Sequence, residues 1–130
     1  MNEAIERVVG DIYRYDEAGA RLIERLQLQS RWNMEDIERL RSGVTLMASV
    51  RATDSSARSR DLTRIMAEFE ESRRAIRSSV VAAALAEGAS VARISEIFGV
   101  SRQLANRFVK DCRARAQQLT DPASPPLPTP

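Results

Sequence analysis

The amino-acid sequence predicts an all-α fold. Apolar residues recur at spacings of three and four along most of the chain up to about residue 119, which is the period of an amphipathic helix. All five prolines lie between Pro122 and Pro130, so none of them interrupts these patterns. Short polar or glycine-containing breaks separate the helical segments. We therefore expect N-terminal amphipathic helices, then a compact three-helix domain, then a disordered Pro-rich tail.

An apolar stripe marks the first predicted helix, which runs from the N-terminus to about Gln27. The stripe consists of Ile5, Val8, Val9, Ile12, Leu22, Ile23 and Leu26. A second helix start is predicted at Asn33, a good N-cap, with Trp32 and Ile37 placed to form a hydrophobic staple across it. This second helix is expected to reach about Ala52, with Gly43 interrupting its apolar stripe.

The polar run of residues 53–56 predicts the next break. A long helical pattern follows and ends at Gly88, and Asp54, Ser56 or Ser59 could cap its start. The pattern could also divide near Ser72. Its last part, residues 75–87, is placed to support the two shorter helices that follow and to complete a trihelical core.

Residues 90–110 read SVARISEIFGVSRQLANRFVK, which is two periodic segments joined by a Gly-Val-Ser break. Gly99 suits a tight turn in the left-handed conformation, and Ser101 is placed to cap the second helix. The residues expected to converge on one core are Ile94, Phe98, Val100, Ala105 and Phe108. Those expected on the opposite side of the second helix are Arg102, Gln103, Asn106, Arg107 and Lys110.

This segment resembles the helix-turn-helix family of DNA-binding proteins, especially the compact version in the C-terminal domains of Hin-like recombinases, in sigma-factor region 4 and in small bacterial regulators. The resemblance covers about one sixth of the chain and is carried by Ile94, Ser95, the run Phe98–Gln103 and Phe108. The segment departs from the family pattern at Ser95, where alanine is usual, and at Ala105, where a larger aliphatic residue is usual. The resemblance implies a trihelical helix-turn-helix domain whose recognition helix, at about 101–112, enters the major groove.

Side-chain chemistry divides the candidate DNA-binding residues into two groups. Base edges are the expected contacts of Arg102, Gln103 and Asn106, because Arg suits guanine while Gln and Asn suit adenine. Phosphates are the expected contacts of Ser90, Arg93, Ser101, Arg107, Lys110 and Arg113. Leu104 stands where a polar residue is common, and could touch a thymine methyl group or a neighbouring helix. An ordinary helical hairpin with a solvated basic face is the alternative interpretation.

Positive charge is concentrated in the segment that carries this motif. Residues 1–87 hold 14 basic and 15 acidic side chains, whereas residues 88–119 hold six basic and two acidic ones, a net charge of +4. The whole chain has a net charge of +2. This distribution is typical of a protein that presents one basic surface to nucleic acid.

The residue types present argue against catalysis and metal binding. Cys112 is the only cysteine and the chain has no histidine, which excludes an intramolecular disulfide and the usual zinc sites and leaves no imidazole base to activate a nucleophile. We therefore expect no enzyme activity, metal or cofactor. No apolar run approaches the roughly 18 residues of a membrane span, and the N-terminus lacks the layout of a signal peptide. A cytoplasmic, nucleoid-associated protein without membrane contact is expected.

The predicted organisation is a helical dimerisation or interaction region at 1–70, a helix-turn-helix domain at 71–119 and the disordered tail at 120–130. Long apolar stripes bordered by Arg and Glu favour homodimerisation through the N-terminal helices, with an intramolecular extension of the DNA-binding core as the alternative. The expected function is that of a dimeric, repressor-like transcriptional regulator that binds specific double-stranded DNA. Two alternatives remain: a nucleoid-associated or plasmid or phage maintenance protein, and a helical adaptor, such as an antitoxin, that acts through its N-terminal helices.

Overall fold

The computed structural model of the protein describes residues 2–120, which form five α-helices and no strand. They are α1 (Glu3–Arg41), α2 (Leu46–Ala52), α3 (Ser55–Ala86), α4 (Val91–Phe98) and α5 (Arg102–Thr120). The predicted all-α class is confirmed. Apart from Thr120, the last residue of α5, the predicted Pro-rich tail lies outside the described residues.

The predicted break before Asn33 is wrong, because α1 continues through it for 39 residues. Asn33 lies inside the helix, where its side-chain oxygen accepts a hydrogen bond from Gln29 at 2.9 Å. Trp32 forms no staple for a new helix. Its ring instead packs under the guanidinium groups of Arg25 and Arg58, at 4.7 and 3.9 Å from the ring centroid. These contacts hold the chain helical where local signals favour a new start.

Gly43, predicted to lie inside the second helix, instead follows the end of α1. Its φ of 97° is left-handed. The Gly43 N–H donates to the carbonyl of Leu40 at 3.2 Å, and the Val44 N–H donates to that of Arg39 at 3.1 Å. These two bonds form a Schellman motif. The helix that reaches Ala52 is therefore a separate, short one, capped by Thr45.

The long helix α3 is capped by Asp54, one of the three predicted candidates. The Asp54 carboxylate accepts from the Ala57 N–H at 3.2 Å. The helix does not divide at Ser72, and it ends before Gly88, whose φ is 90°. The end predicted at Gly88 is thus confirmed.

The chain divides into two compact units. The terminal unit joins the chain up to Tyr15 with the chain from Glu71 onward, and the middle unit is Asp16–Glu70. Both α1 and α3 therefore contribute residues to each unit. The buried cluster of the terminal unit comprises Val81, Ile94, Ala105, Phe108, Val109 and Cys112. The buried residues of the middle unit are Ala18, Arg25 and Ser49.

A buried arginine joins α1 to α3 in the middle unit. The side chain of Arg25 is only 4% exposed. Its Nε donates to the Asp61 carboxylate at 2.7 Å, and its two terminal nitrogens donate to the Gln29 side chain at 3.1 Å and the Arg58 carbonyl at 2.9 Å. All three nitrogens are thus satisfied, as a buried guanidinium requires. The hydrogen bond from Arg25, followed by that from Arg64, lowers the pKa of the Asp61 carboxyl.

The turn between α4 and α5 has the predicted backbone. Gly99 is left-handed, with φ of 63° and ψ of 37°. The N–H groups of Gly99 and Val100 donate to the carbonyls of Glu96 and Ser95 at 3.2 and 3.0 Å. The Ser101 hydroxyl then accepts from the Leu104 N–H at 3.1 Å. The left-handed glycine and the serine cap are confirmed.

The Asp61→Asn substitution is expected to reduce the loss of stability in acid. Because the pKa of Asp61 is lowered in the folded protein, its contribution is fully present above the ordinary aspartate pKa. That contribution is lost as the pH falls through the lowered pKa. Urea unfolding between about pH 7 and pH 2 should therefore show the difference in unfolding free energy between the two proteins shrinking as the pH falls. Glu35→Gln is the control, since Glu35 is exposed and has no partner within residues 2–120. An Asp61→Asn difference that is independent of pH contradicts the prediction.

The Gly99→Ala and Gly10→Ala substitutions are expected to have opposite signs. A Cβ at Gly99 meets nothing within 4 Å, so its cost is the left-handed backbone, about 1–2 kcal/mol of destabilisation. Gly10 lies inside α1, and a Cβ there meets the Arg14 guanidinium at an ordinary 3.5 Å. Alanine at Gly10 should stabilise the protein by roughly 0.5–1 kcal/mol. Urea unfolding of both variants checks this, and destabilisation of similar size in both contradicts it.

Candidate nucleic-acid interface

One face of α5 is buried on α4 and on the last part of α3. The five residues predicted for this core all contribute, since Ile94, Ala105 and Phe108 are buried while Phe98 and Val100 are half-buried against them. Phe98 and Phe108 meet edge to face, with centroids 5.5 Å apart. Val81 and Val109 are buried in the same cluster and were not predicted from the sequence, whereas Cys112, which is also buried, fits the interpretation of a small buried hydrophobic residue. The signal for Val109 was present, because it follows Ala105 at a spacing of four.

The two departures from the helix-turn-helix pattern have structural consequences. The Ser95 hydroxyl donates to the Val100 carbonyl at 2.5 Å, a bond across the turn that alanine cannot make. Ala105 is fully buried in the core cluster. Leu104 is half-buried and packs on the same cluster.

The other face of α5 is exposed and polar. By the 100° turn per residue, Gln103, Arg107 and Lys110 lie about 140–160° from the buried Ala105, and Asn106 lies about 100° from it. Arg102 and Arg113 flank them on one side. The exposed members of this group are Arg102, Gln103, Asn106, Arg107, Lys110 and Arg113. None of these six side chains makes a hydrogen bond or an ion pair within residues 2–120, so their donors are available to a ligand. We call them the α5 outer face.

Three further predicted site residues lie at helix starts. Ser90 caps α4, and its hydroxyl accepts from the Arg93 N–H at 3.2 Å. Arg93 is exposed and pairs with Glu96 at 2.9 Å. Ser101 caps α5 from just before its first turn. The structure thus gathers Ser101 and the α5 outer face on one element, with Ser90 and Arg93 at the start of α4.

Two other basic side chains of this unit, Arg77 and Arg115, are engaged within the protein. Arg115 pairs with Glu71 at 2.7 Å. Arg77 lies over the Phe108 ring, 4.3 Å from its centroid, and is 4.0 Å from the carboxylate of Asp111. The cations of the α5 outer face, by contrast, have no acidic partner within the described residues. Within α5, the unpaired cations therefore lie on the face away from the core.

An isoleucine that the sequence analysis did not single out is exposed on α4. Ile97 is one turn after Arg93 and is 53% exposed. The sequence held a signal for this exposure, because Ile94 and Phe98 lie on the buried face of α4 and Ile97 lies beside that face. Ile97 adds an apolar contact surface to the otherwise polar exposed side of α4.

Cys112 belongs to the core rather than to the exposed face. Burial raises the pKa of its thiol, which keeps it protonated and weakly nucleophilic. Within residues 2–120 there is no group of three or more Cys, Asp or Glu side chains that could hold a metal ion. None of the helices there is long and apolar enough to cross a membrane.

The comparisons with known proteins give no family for this chain. No family model matches it, and neither a curated protein nor a solved structure is significantly similar to it. A functional interpretation therefore depends on the geometry and charge of α4 and α5.

Proposed function

We propose that the protein binds specific double-stranded DNA sequences through a helix-turn-helix formed by α4 and α5, and that it acts as a dimeric transcriptional regulator. One observation carries the proposal. The α5 outer face holds six exposed polar side chains, four of them cationic, and none has a partner within residues 2–120. A helix that is fixed on one face and offers free donors on the other suits the major groove, which is about 12 Å wide.

Base reading is assigned to the N-terminal part of α5. In helix-turn-helix proteins the first residues of the recognition helix contact base edges. Arg102, Gln103 and Asn106 are exposed there and have the donors and acceptors that distinguish guanine and adenine. They supply the sequence preference in this proposal.

Phosphate binding is assigned to the cations further along α5 and to the two helix starts. Arg107, Lys110 and Arg113 are exposed and unpaired within the described residues. The N–H groups of the first turns at Ser90 and Ser101 add donors suited to an anion. Arg93 can exchange its exposed partner Glu96 for a phosphate, because surface ion pairs are worth little. These groups supply affinity and its salt dependence.

Two copies are part of the proposal, because one recognition helix makes few contacts and operators are commonly read as two half-sites about 34 Å apart. Exposed apolar side chains on α1 and α2 support pairing through the N-terminal helices. A dimer seated on an operator represses transcription by occluding it. The proposed location is the cytoplasm, on the nucleoid.

Binding to duplexes selected from a random library is expected to separate affinity from specificity. Relative to random duplex, Gln103→Ala and Asn106→Ala should each lose about 1–3 kcal/mol of preference for the selected sequence. Lys110→Gln should weaken binding to both duplexes alike and reduce the slope of log affinity against log salt by about one. Fluorescence anisotropy across salt concentrations measures both quantities.

Arg31→Gln is the control for the loss of one positive charge, since Arg31 is exposed on α1 in the middle unit. It should leave both affinities and the salt slope unchanged. If the unmodified protein binds selected and random duplexes equally well, the proposal of a sequence-specific regulator is overturned in favour of a nucleoid-associated protein. If it binds neither, DNA binding itself is overturned.

A further inference from the structure

The part of α1 in the middle unit turns a mixed face toward α3, with Ala18 buried and Leu22 and Leu28 half-buried beside polar contacts. Arg25, which bonds to Asp61 and the Arg58 carbonyl, lies on that face, and so does Trp32, which packs against Arg58. Four large apolar side chains of the same helix are exposed on another side. The exposed fractions are 60% for Ile23, 48% for Leu26, 60% for Met34 and 39% for Ile37.

These apolar residues form one continuous line along the helix. Positions 16, 23, 26, 30, 34, 37 and 41 fall within an arc of about 80°, on the basis of 100° per residue. Gly19 falls in the same arc but has no side chain, and a Cβ there would meet the Phe69 ring at 3.8 Å. Arg25 and Trp32 lie roughly 140–160° from the centre of that arc by the same count. We call this line the α1 stripe; it consists of Asp16, Ile23, Leu26, Ser30, Met34, Ile37 and Arg41.

The α1 stripe has the pattern of a helix-pairing surface. Large apolar side chains scattered singly over a surface need no explanation, but a contiguous row of them marks an interaction site. From Ile23 to Arg41 the spacings are three and four, which keep the row on one side of the helix, as in antiparallel helix pairs. A small residue, Ser30, lies at the middle of the row, where it allows close approach of another helix.

The charges at the two ends of the stripe indicate which helix pairs with it and in which direction. Asp16 at one end and Arg41 at the other are both exposed, and neither has a partner within residues 2–120. In an antiparallel pair of identical helices each Arg41 approaches the Asp16 of the other copy. A parallel pair instead places like charges together at both ends, which is unfavourable. The stripe is thus complementary to itself in the antiparallel direction.

We propose that the α1 stripe pairs antiparallel with the α1 stripe of a second copy of this chain. The inference rests on the proposed function for its dimeric state and names the surface that joins the two copies. A two-fold axis passes near Ser30. Ile23 then faces Ile37 of the second copy, and Leu26 faces Met34 of the second copy. Arg41 lies within one helical turn of Asp16 of the second copy, and such a two-fold interface closes on itself.

Sedimentation equilibrium of the full chain without DNA tests the apolar part of the interface. Ile23→Asp buries a carboxylate in the proposed contact and should weaken self-association at least 100-fold. Met66→Asp is the matched control, because Met66 is 52% exposed in the same unit but lies on α3. It should leave the dimer unchanged, and circular dichroism verifies that both variants remain helical. Equal dimerisation by the Ile23→Asp variant overturns the proposal.

Exchange of the end charges tests the direction. Asp16→Arg and Arg41→Asp should each weaken the dimer roughly tenfold, since each creates two like-charge pairs, and the effect should fade at high salt. The double variant should restore most of the affinity. Two single effects that simply add in the double variant overturn the charge pairing.

Nitroxide labels at Ser30→Cys and at Ser42→Cys distinguish the two directions by distance. In the antiparallel dimer the label pair at position 30 is close, whereas that at position 42 is separated by about 36 Å at 1.5 Å rise per residue. Short distances at both positions show a parallel pair and overturn the proposal. A dimer that tolerates every stripe variant also overturns it while leaving the dimeric regulator intact. If the label distances show the antiparallel dimer but the protein does not bind specific DNA, only the proposed function is overturned.

Discussion

Burial of one face of α5 against Ile94 and Val81 is the constraint on which the rest of the candidate interface depends. Phe108 adds the edge-to-face contact with Phe98, and Ala105 lets the two helices approach closely. A helix so anchored has no freedom to rotate about its axis, because rotation by one residue would expose Phe108 and bury a cation. The side chains of the α5 outer face are therefore held outward by the packing of residues that make no contact with a ligand. Preorganisation of this kind lowers the entropy lost on binding.

The features that the sequence predicted well are those decided by neighbouring residues. The Gly99 turn and its Ser101 cap depend on backbone conformation and on bonds that span three to five residues, so residue type alone specifies them. The Gly88 break is of the same kind. The outer face of α5 was predictable as well, because helical period assigns Gln103 and Lys110 to one side once Ala105 is placed inside.

The features that the sequence analysis missed depend on residues far apart in the chain. Asn33 after Trp32 is a sound local signal for a helix start, yet α1 continues because Arg58, 26 positions after Trp32, packs on the Trp32 ring. Arginine is usually exposed to solvent. Arg25 can be buried because it bonds to Asp61 and to the Arg58 carbonyl, which are distant in the sequence. Gly43 was predicted to lie inside a helix, but its residue type is equally compatible with a helix end, where the structure places it. A left-handed residue can be distinguished from a tolerated helical glycine only by the hydrogen bonds of the following turn.

The polar bonds between α1 and α3 affect which apolar side chains of the middle unit are buried. A buried arginine with a hydrogen bond from each of its three nitrogens adds specificity of pairing but little net stability, because its desolvation offsets much of the bond energy. Ile23 and Met34, which could have formed an apolar contact with α3, lie exposed instead. Burial of these exposed side chains is therefore available to association with another helix. If the α1 stripe joins two copies, folding of the middle unit and self-association are linked by mass action, so its stability rises with protein concentration. Because the α1 stripe is exposed in the monomer and would be buried in the dimer, pairing removes apolar surface from water and favours the dimer.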